Sequence, residues 1–331
     1  MLLVVNIVER IYHKTKIVLG KEIDWSEHWK SFGDLHPDKT FYVIRRCDKF
    51  AGVNSHFISV MGHIRYAVLN GWTPVVDMKN YQNALLDEKK IGIYNAWEYY
   101  FKQPCICSLD EVYQSKNVIL SEGMPPKVYP NDNMEFFTRP DLIWMWHRYF
   151  VKYVGFSEVL HKKIEEKHVQ YFKGKENDRI LGIFLRGTDY VTLKPYEHPV
   201  QPTVQEAIKK ASKVMKEQEC RWLFLVTEDQ RILDAFCDEF ADCLIYIKEQ
   251  PRYGEMSSGE HIAEYSFHRE NDKYLKGMEC MIQIGLLMKC NCFIGGRTSG
   301  CVAAMVMQPY YDYTYFWNLG RYGIDDVIDE V

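Results

Sequence analysis

Ile180-Leu-Gly-Ile-Phe-Leu185 runs straight into Arg186-Gly-Thr-Asp189. An unbroken apolar run of this length is the pattern of a strand covered on both faces, as in a parallel sheet. The polar turn marks its carboxyl end. The pattern returns twice: Trp222-Leu-Phe-Leu-Val226 leads into Thr227-Glu-Asp229, and Cys292-Phe-Ile294 into Gly295-Gly-Arg-Thr-Ser-Gly300. A short strand, Leu244-Ile-Tyr-Ile247, lies between them. Helical segments alternate with these strands over Val204–Lys216, Arg231–Phe240 and Asp272–Met288, and another opens around Val302–Met307. Such alternation predicts an α/β domain on a parallel sheet.

Upstream, the rhythm starts with Phe41-Tyr-Val-Ile-Arg45, a buried strand. A loop with Gly52 follows, and Asn54 or Ser55 is placed to cap a helix. Its apolar positions, Phe57, Val60, Met61, Ile64, Ala67 and Val68, fall on one helical face. Gly71 sits where a helix closes, and Pro74-Val-Val-Asp77 forms the next strand. Residues 79–140 read as irregular and aromatic, and a helical stretch runs from Leu142 to Phe172. The polar break Gly174-Lys-Glu-Asn-Asp178 reads as a linker. The expected architecture is α/β with two Rossmann-like halves, 1–173 and 174–331, facing across a ligand cleft.

The chain has 331 residues, 47% hydrophobic and 26% charged, which suits a folded protein with a sizeable core. A net charge of −4 argues against a nucleic-acid binder, which needs a basic footprint. The ten cysteines include no CxxC pair, and the two C-x-C pairs lack usual zinc spacing. They read as reduced thiols of a cytoplasmic protein. Met1–Val8 is apolar but broken at Glu9-Arg10, too short for a span and without the flanks of a signal peptide. Residues 1–19 predict an amphipathic helix with Arg10, Lys14 and Lys16 on one side. It packs on the core or makes peripheral contact with the inner face of a membrane.

Ligands of open parallel sheets bind beyond the carboxyl ends of the strands. That makes three loops candidates: Arg186–Asp189, Thr227–Asp229 and Gly295–Gly300. In the last, Arg297, Thr298, Ser299 and Gly300 sit at a helix start, where free N–H groups and hydroxyls favour phosphate. Arg186, at a strand end, is suited to grip a pyrophosphate with two parallel hydrogen bonds. A structural turn closed by an Arg186–Asp189 pair is the alternative. There is no P-loop, GxGxxG, GxSxG or HExxH, and no D-x-D to hold a divalent ion, so the expected chemistry is metal-independent.

Gly182-Ile-Phe-Leu-Arg-Gly-Thr-Asp-Tyr190 with Tyr196-Glu-His-Pro199 resembles the first donor-binding motif of the GDP-fucose fucosyltransferases, the α1,6-, α1,2- and protein O-fucosyltransferase superfamily. Leu223-Phe-Leu-Val-Thr-Glu-Asp229 is similar to its second motif, and Leu286–Ser299 to its third. The unit from Gly52 to Asp77 resembles the family's N-terminal one. The resemblance implies a GT-B fold with the donor held by the C-terminal half. It also implies inverting, metal-independent transfer of fucose from GDP-fucose to a carbohydrate, with no cofactor. By position, Arg186 binds the pyrophosphate, Asp189 orders its loop or helps Arg186, Ser299 touches phosphate, and Gln283 stands where many members have an Asp that reads guanine. Three departures matter. Gln283 replaces that carboxylate, Gly187 replaces a frequent second Arg, and Phe184 stands where some members have His. They keep a rhamnosyl or other nucleotide-sugar donor, or a non-catalytic binding protein, in view.

In this reading Gly52, Asn54 and His56 meet the donor from the first half. Glu197 and Asp189 are candidate bases, and His198 faces the acceptor. The aromatic stretches 94–101 and Tyr310–Tyr322 either stack on sugars or pack in the core. The implied setting is a bacterial cytoplasmic enzyme of polysaccharide assembly.

Overall fold

The computed structural model describes residues 28–121, 126–254, 262 and 265–324. The helix expected over residues 1–19 lies outside them. The described chain runs β1 (His28–Lys30), β2 (Leu35–Arg45), α1 (Val53–Leu69), β3 (Thr73–Asp77), α2 (Leu109–Val112), β4 (Ser115–Leu120), α3 (Met134–Thr138), α4 (Pro140–Tyr153) and α5 (Glu158–Phe172). It continues through β5 (Ile180–Leu185), α6 (Thr188–Leu193), α7 (Val204–Glu217), β6 (Trp222–Thr227), α8 (Gln230–Phe240), β7 (Leu244–Ile245), α9 (Asp272–Leu287), β8 (Cys292–Gly296), α10 (Ser299–Met307) and β9 (Tyr313–Trp317).

Two sheets result. The first has the order β1-β4-β2-β3, parallel except for β1, which pairs antiparallel with β4. The second, β7-β6-β5-β8-β9, is parallel throughout. Every residue of β5 is buried, and its neighbours are β6 and β8, with Leu181 between Leu223 and Cys292. The three polar loops therefore emerge side by side at one edge of this sheet.

A continuous apolar cluster joins the two halves. It contains Phe57 of α1, Phe150 of α4, Ile164 of α5, Met281 of α9, Val306 of α10 and Phe224 of β6. In it α9 packs on α5 and α1, and α10 on α4 and α1. Burying each such side chain contributes about 1.5–3 kcal/mol. A second cluster lies between the other face of the β5 sheet and α7 and α8, and a third covers the other face of the first sheet.

Several expectations change at this level. The helix over 142–172 is two helices, broken at Gly155, whose φ of +62° an L side chain rarely adopts. Strands β4 and β9 lie in stretches read as irregular or as aromatic loop. Neither Asn54 nor Ser55 caps α1: the N-cap is Gly52, and the Asn54 amide donates to Cys280 Sγ at 3.2 Å. Much of the aromatic stretches packs in the core. Trp97, Tyr100 and Phe101 are buried, with Phe57 stacked on Phe101, and Phe316 and Trp317 face inward from β9. Apolar rings gained more by leaving water than by lining a wet cleft. All ten cysteines fall among the described residues and are free thiols. Among those residues no helix is long and apolar enough to cross a membrane.

Candidate active site

The carboxyl ends of β5, β6 and β8 open into a cavity of about 760 Å³. The start of α1 and the loop before it form the opposite wall, and α9 flanks it.

The floor begins with the turn after β5. Thr188 adopts a φ of +42°, a strained value for a β-branched residue. The restraint comes from the neighbouring strand. Gly187 N–H and Thr188 Oγ1–H donate to Glu228 Oε1 at 2.9 and 3.0 Å, and Thr188 N–H donates to Asp229 Oδ2 at 3.0 Å. A Cβ on residue 187 would stand 2.3 Å from that Oδ2 atom, so this backbone leaves no room for a second arginine there.

Arg186 is held above this turn. Its guanidinium donates to Asp189 Oδ1 at 2.7 Å, lies 3.5 Å from Glu228 Oε1 and stacks over the Tyr190 ring at 4.9 Å. Burial alone would lower its pKa, but the Glu228 and Asp189 carboxylates more than reverse this, so Arg186 stays cationic. Burial holds the Glu228 carboxyl above its ordinary pKa, with Arg186 opposing the rise. The pair expected as an alternative, Arg186 with Asp189, is present. It lies inside the cavity, where a diphosphate can compete for the guanidinium.

A second element suited to an anion is the start of α10. Thr298 is its N-cap, accepting from Cys301 N–H, and Ser299 and Gly300 form its first turn. The N–H groups of a first turn have no intrahelical acceptor and carry partial positive charge. Thr298, Ser299 and Gly300 all line the cavity.

Five buried polar atoms of the described lining lack a hydrogen-bond partner: Asn54 Oδ1, Ser59 Oγ, Gln283 Oε1, Gln250 Oε1 and Arg186 Nε, the last lying 3.5 Å from Glu228 Oε1. An orphan of this kind costs about 1–3 kcal/mol unless a ligand or water satisfies it. Gln283 belongs to a polar stripe on α9, Lys273, Lys276, Cys280 and Gln283, all facing the cavity. Burial pushes the Cys280 thiol up to about 11.

The cavity therefore gathers Gly52, Asn54, Arg186, Asp189, Thr227, Gln283, Thr298, Ser299, Gly300 and His198. Four expected residues fall outside its lining. Asp229 caps α8 and clamps Thr188. Arg297 is buried against the Asn318 side chain. His56 is buried, its ring makes no well-formed hydrogen bond, and burial beside Arg46 lowers its pKa to about 3. Glu197 is exposed, with its backbone tied to Tyr322 and Arg321 by bonds of 2.9 and 2.7 Å. The sequence reading also missed Ser59, Lys273, Lys276, Cys280, Tyr190 and Asp132, and gave Glu228, inside the Thr227–Asp229 loop, no role of its own. For the α9 residues a signal exists: polar side chains at helical spacing on an otherwise apolar helix.

No family model and no curated protein matches the sequence. Solved structures do. The selenomethionine structure of the fucosyltransferase NodZ from Bradyrhizobium aligns over 86% of this chain and 97% of its own, at 14% identity and a TM-score of 0.50. The chain has the NodZ fold. NodZ α1,6-fucosyltransferase soaked with GDP-fucose aligns over 82% and 93%, at 15% identity and a TM-score of 0.48. POFUT1 in its apo form aligns over 87% and 99%, at 8% identity and 0.49.

Proposed function

We propose that the chain is a glycosyltransferase of GT-B architecture that moves fucose from GDP-fucose to a carbohydrate acceptor, inverting and without a metal. The observation that carries this is the meeting of Arg186 and the α10 amino terminus in one cavity. A cation and a helix start converge where a diphosphate would lie. The NodZ fold and the three motifs in series support the donor class.

In this reading the C-terminal half, 174–331, holds the donor and the N-terminal half supplies the acceptor side. Gln283 and Asn54 offer acceptor oxygens to N–H groups of the base and sugar hydroxyls. As the bond from C1 to the diphosphate stretches, negative charge grows on the leaving oxygens. Arg186 and the first-turn amides of α10 meet that charge, a form of stabilisation that is usually a large share of catalysis. Thr188 and Glu228 hold the turn so that Arg186 needs little reorganisation.

One observation favours a second reading, the same reaction with another nucleotide sugar. Gln283 offers a neutral oxygen where a carboxylate suits guanine better. Thermal-shift titration with GDP, UDP, CDP and dTDP, without added metal, separates the two. A ligand at 100 times its Kd adds about 2.7 kcal/mol of stability. A shift selective for GDP supports the fucose donor. A shift selective for another nucleotide replaces it, and no shift with any of them overturns the transferase reading.

A further inference from the structure

We propose that His198 is the general base that takes the proton from the attacking hydroxyl. The proposal rests on the glycosyl-transfer reading and assigns a step which that reading leaves open.

Among the described residues the lining includes four carboxylates, and each is engaged. Asp189 accepts from Arg186 at 2.7 Å and from Tyr190 N–H at 3.0 Å. Glu228 accepts from Gly187 and Thr188 and lies 3.5 Å from Arg186. Glu279 is gripped by both terminal nitrogens of Arg269, at 2.6 and 2.8 Å. Asp132 accepts from Arg321 at 2.6 Å. Taking a proton at any of these oxygens would weaken an existing charge-assisted hydrogen bond or ion pair. His198 is the histidine of the described lining, and its ring enters no ion pair among the described residues.

Its place is fixed without using its nitrogens. The backbone N–H of His198 donates to Pro195 O at 3.0 Å, and its carbonyl accepts from Tyr322 N–H at 3.0 Å. The ring packs edge-on against Tyr190, centroids 5.1 Å apart, and Tyr190 lies under the Arg186 guanidinium. His198 is thus one ring away from the group assigned to the leaving diphosphate. It is also exposed on one side, so a proton taken up can leave to water.

The groups facing it are Asp132 before α3, Asp189 and Arg186 from the turn after β5, Tyr190 on α6, and Arg321 from the C-terminal loop. Partial burial pulls the imidazole pKa below its ordinary value, the two aspartates raise it, and the two arginines lower it further. The net direction is down, so the ring is neutral and able to accept a proton at pH 7.

The step balances as follows. An oxygen lone pair of the acceptor hydroxyl attacks C1 of the sugar. The bond from C1 to the β-phosphate oxygen breaks, and its electron pair leaves on the nucleoside diphosphate. The hydroxyl proton passes to an imidazole nitrogen of His198 and then to solvent.

The test uses the full chain and GDP-fucose with water as acceptor, read as GDP release over pH 4.5–8.5. GDP affinity is measured first, by calorimetry. Wild-type protein that binds no GDP overturns the donor reading itself, before any turnover is read. Given binding, His198→Gln is expected to keep the wild-type GDP affinity and the KM for GDP-fucose within about twofold. Its turnover is expected to fall about 10²–10⁴-fold. The wild-type rate falls as pH drops through the His198 pKa, below about 6.5, and the variant loses that limb. In His198→Ala, added imidazole restores part of the rate. Wild-type turnover in His198→Gln, or lost turnover with the same acid limb and no imidazole rescue, overturns the assignment.

Discussion

Replacing Arg186 by alanine tests the diphosphate site most directly. The substitution removes the cavity's charged donor at the end of β5. A hydrogen bond to a charged group contributes about 1.5–3 kcal/mol, and each 1.4 kcal/mol is a factor of ten in affinity. GDP affinity is therefore expected to fall at least about 10- to 150-fold. A second effect has the same sign. Asp189 and Glu228 lose the cation 2.7 and 3.5 Å away and turn their charge toward the incoming phosphates. Glu228 already has a raised pKa through burial, and without Arg186 it rises further. A group whose folded pKa is raised contributes stability that is present at low pH and lost as pH rises through that pKa. Arg186→Ala should thus melt closer to wild type at pH 5 than at pH 8. The same logic makes Arg186→Ala/Glu228→Gln recover part of the GDP affinity, since the amide still accepts from Gly187 but carries no charge. Calorimetric titration with GDP at matched ionic strength, with circular dichroism to confirm the fold, reads all three proteins. A folded Arg186→Ala protein that binds GDP as tightly as wild type refutes the assignment of Arg186.

The other predictions concern base reading, the turn and the aromatic core. Gln283→Ala is expected to weaken GDP about five-fold, the worth of one neutral hydrogen bond of about 1 kcal/mol, and to weaken it more than it weakens a nucleotide that shows no selective shift. Asp229→Ala removes both the α8 cap and the Thr188 clamp. It should cost about 1–2 kcal/mol in chemical denaturation for the cap alone and should weaken GDP by loosening Arg186. Trp97→Ala should cost about 3–5 kcal/mol of stability, as a buried aromatic does. In that variant GDP affinity measured well below the melting transition stays near wild type, because Trp97 lies outside the cavity.

Much of the fold is legible because its signals are local. Ile180–Leu185, Trp222–Val226 and Cys292–Ile294 are apolar over their whole length, and a strand buried on both faces requires that. Gly71 and Thr203 mark a helix end and a helix start by their own backbone and side-chain chemistry: Gly71 has a φ of +73°, and Thr203 forms a capping box with Glu206. Strand β9 was hidden because Tyr313–Trp317 is aromatic, and rings suit a strand, a core and a sugar platform alike. The break at Gly155 was hidden because the apolar pattern on either side stays helical.

The site divides along the same line. That Arg186, the Thr227–Asp229 loop and the Gly295–Gly300 turn lie together at the carboxyl ends of the strands follows from the sequence alone, since a polar loop after a buried strand has one place to be. Which residues reach the cavity is a tertiary decision. The order β6-β5-β8 brings Glu228 and Asp229 under Gly187, and only that neighbour explains why residue 187 is glycine and why Thr188 tolerates its strain. Packing of α9 against α1 sets Gln283 and Cys280 facing Asn54, more than two hundred residues away in the chain. Glu197 and His198 are adjacent in sequence, yet the loop turns the imidazole into the cavity and leaves the carboxylate outside its lining. Residue types and strand ends are encoded within a few positions. The direction of a side chain in a loop is set by long-range contacts that no local pattern records.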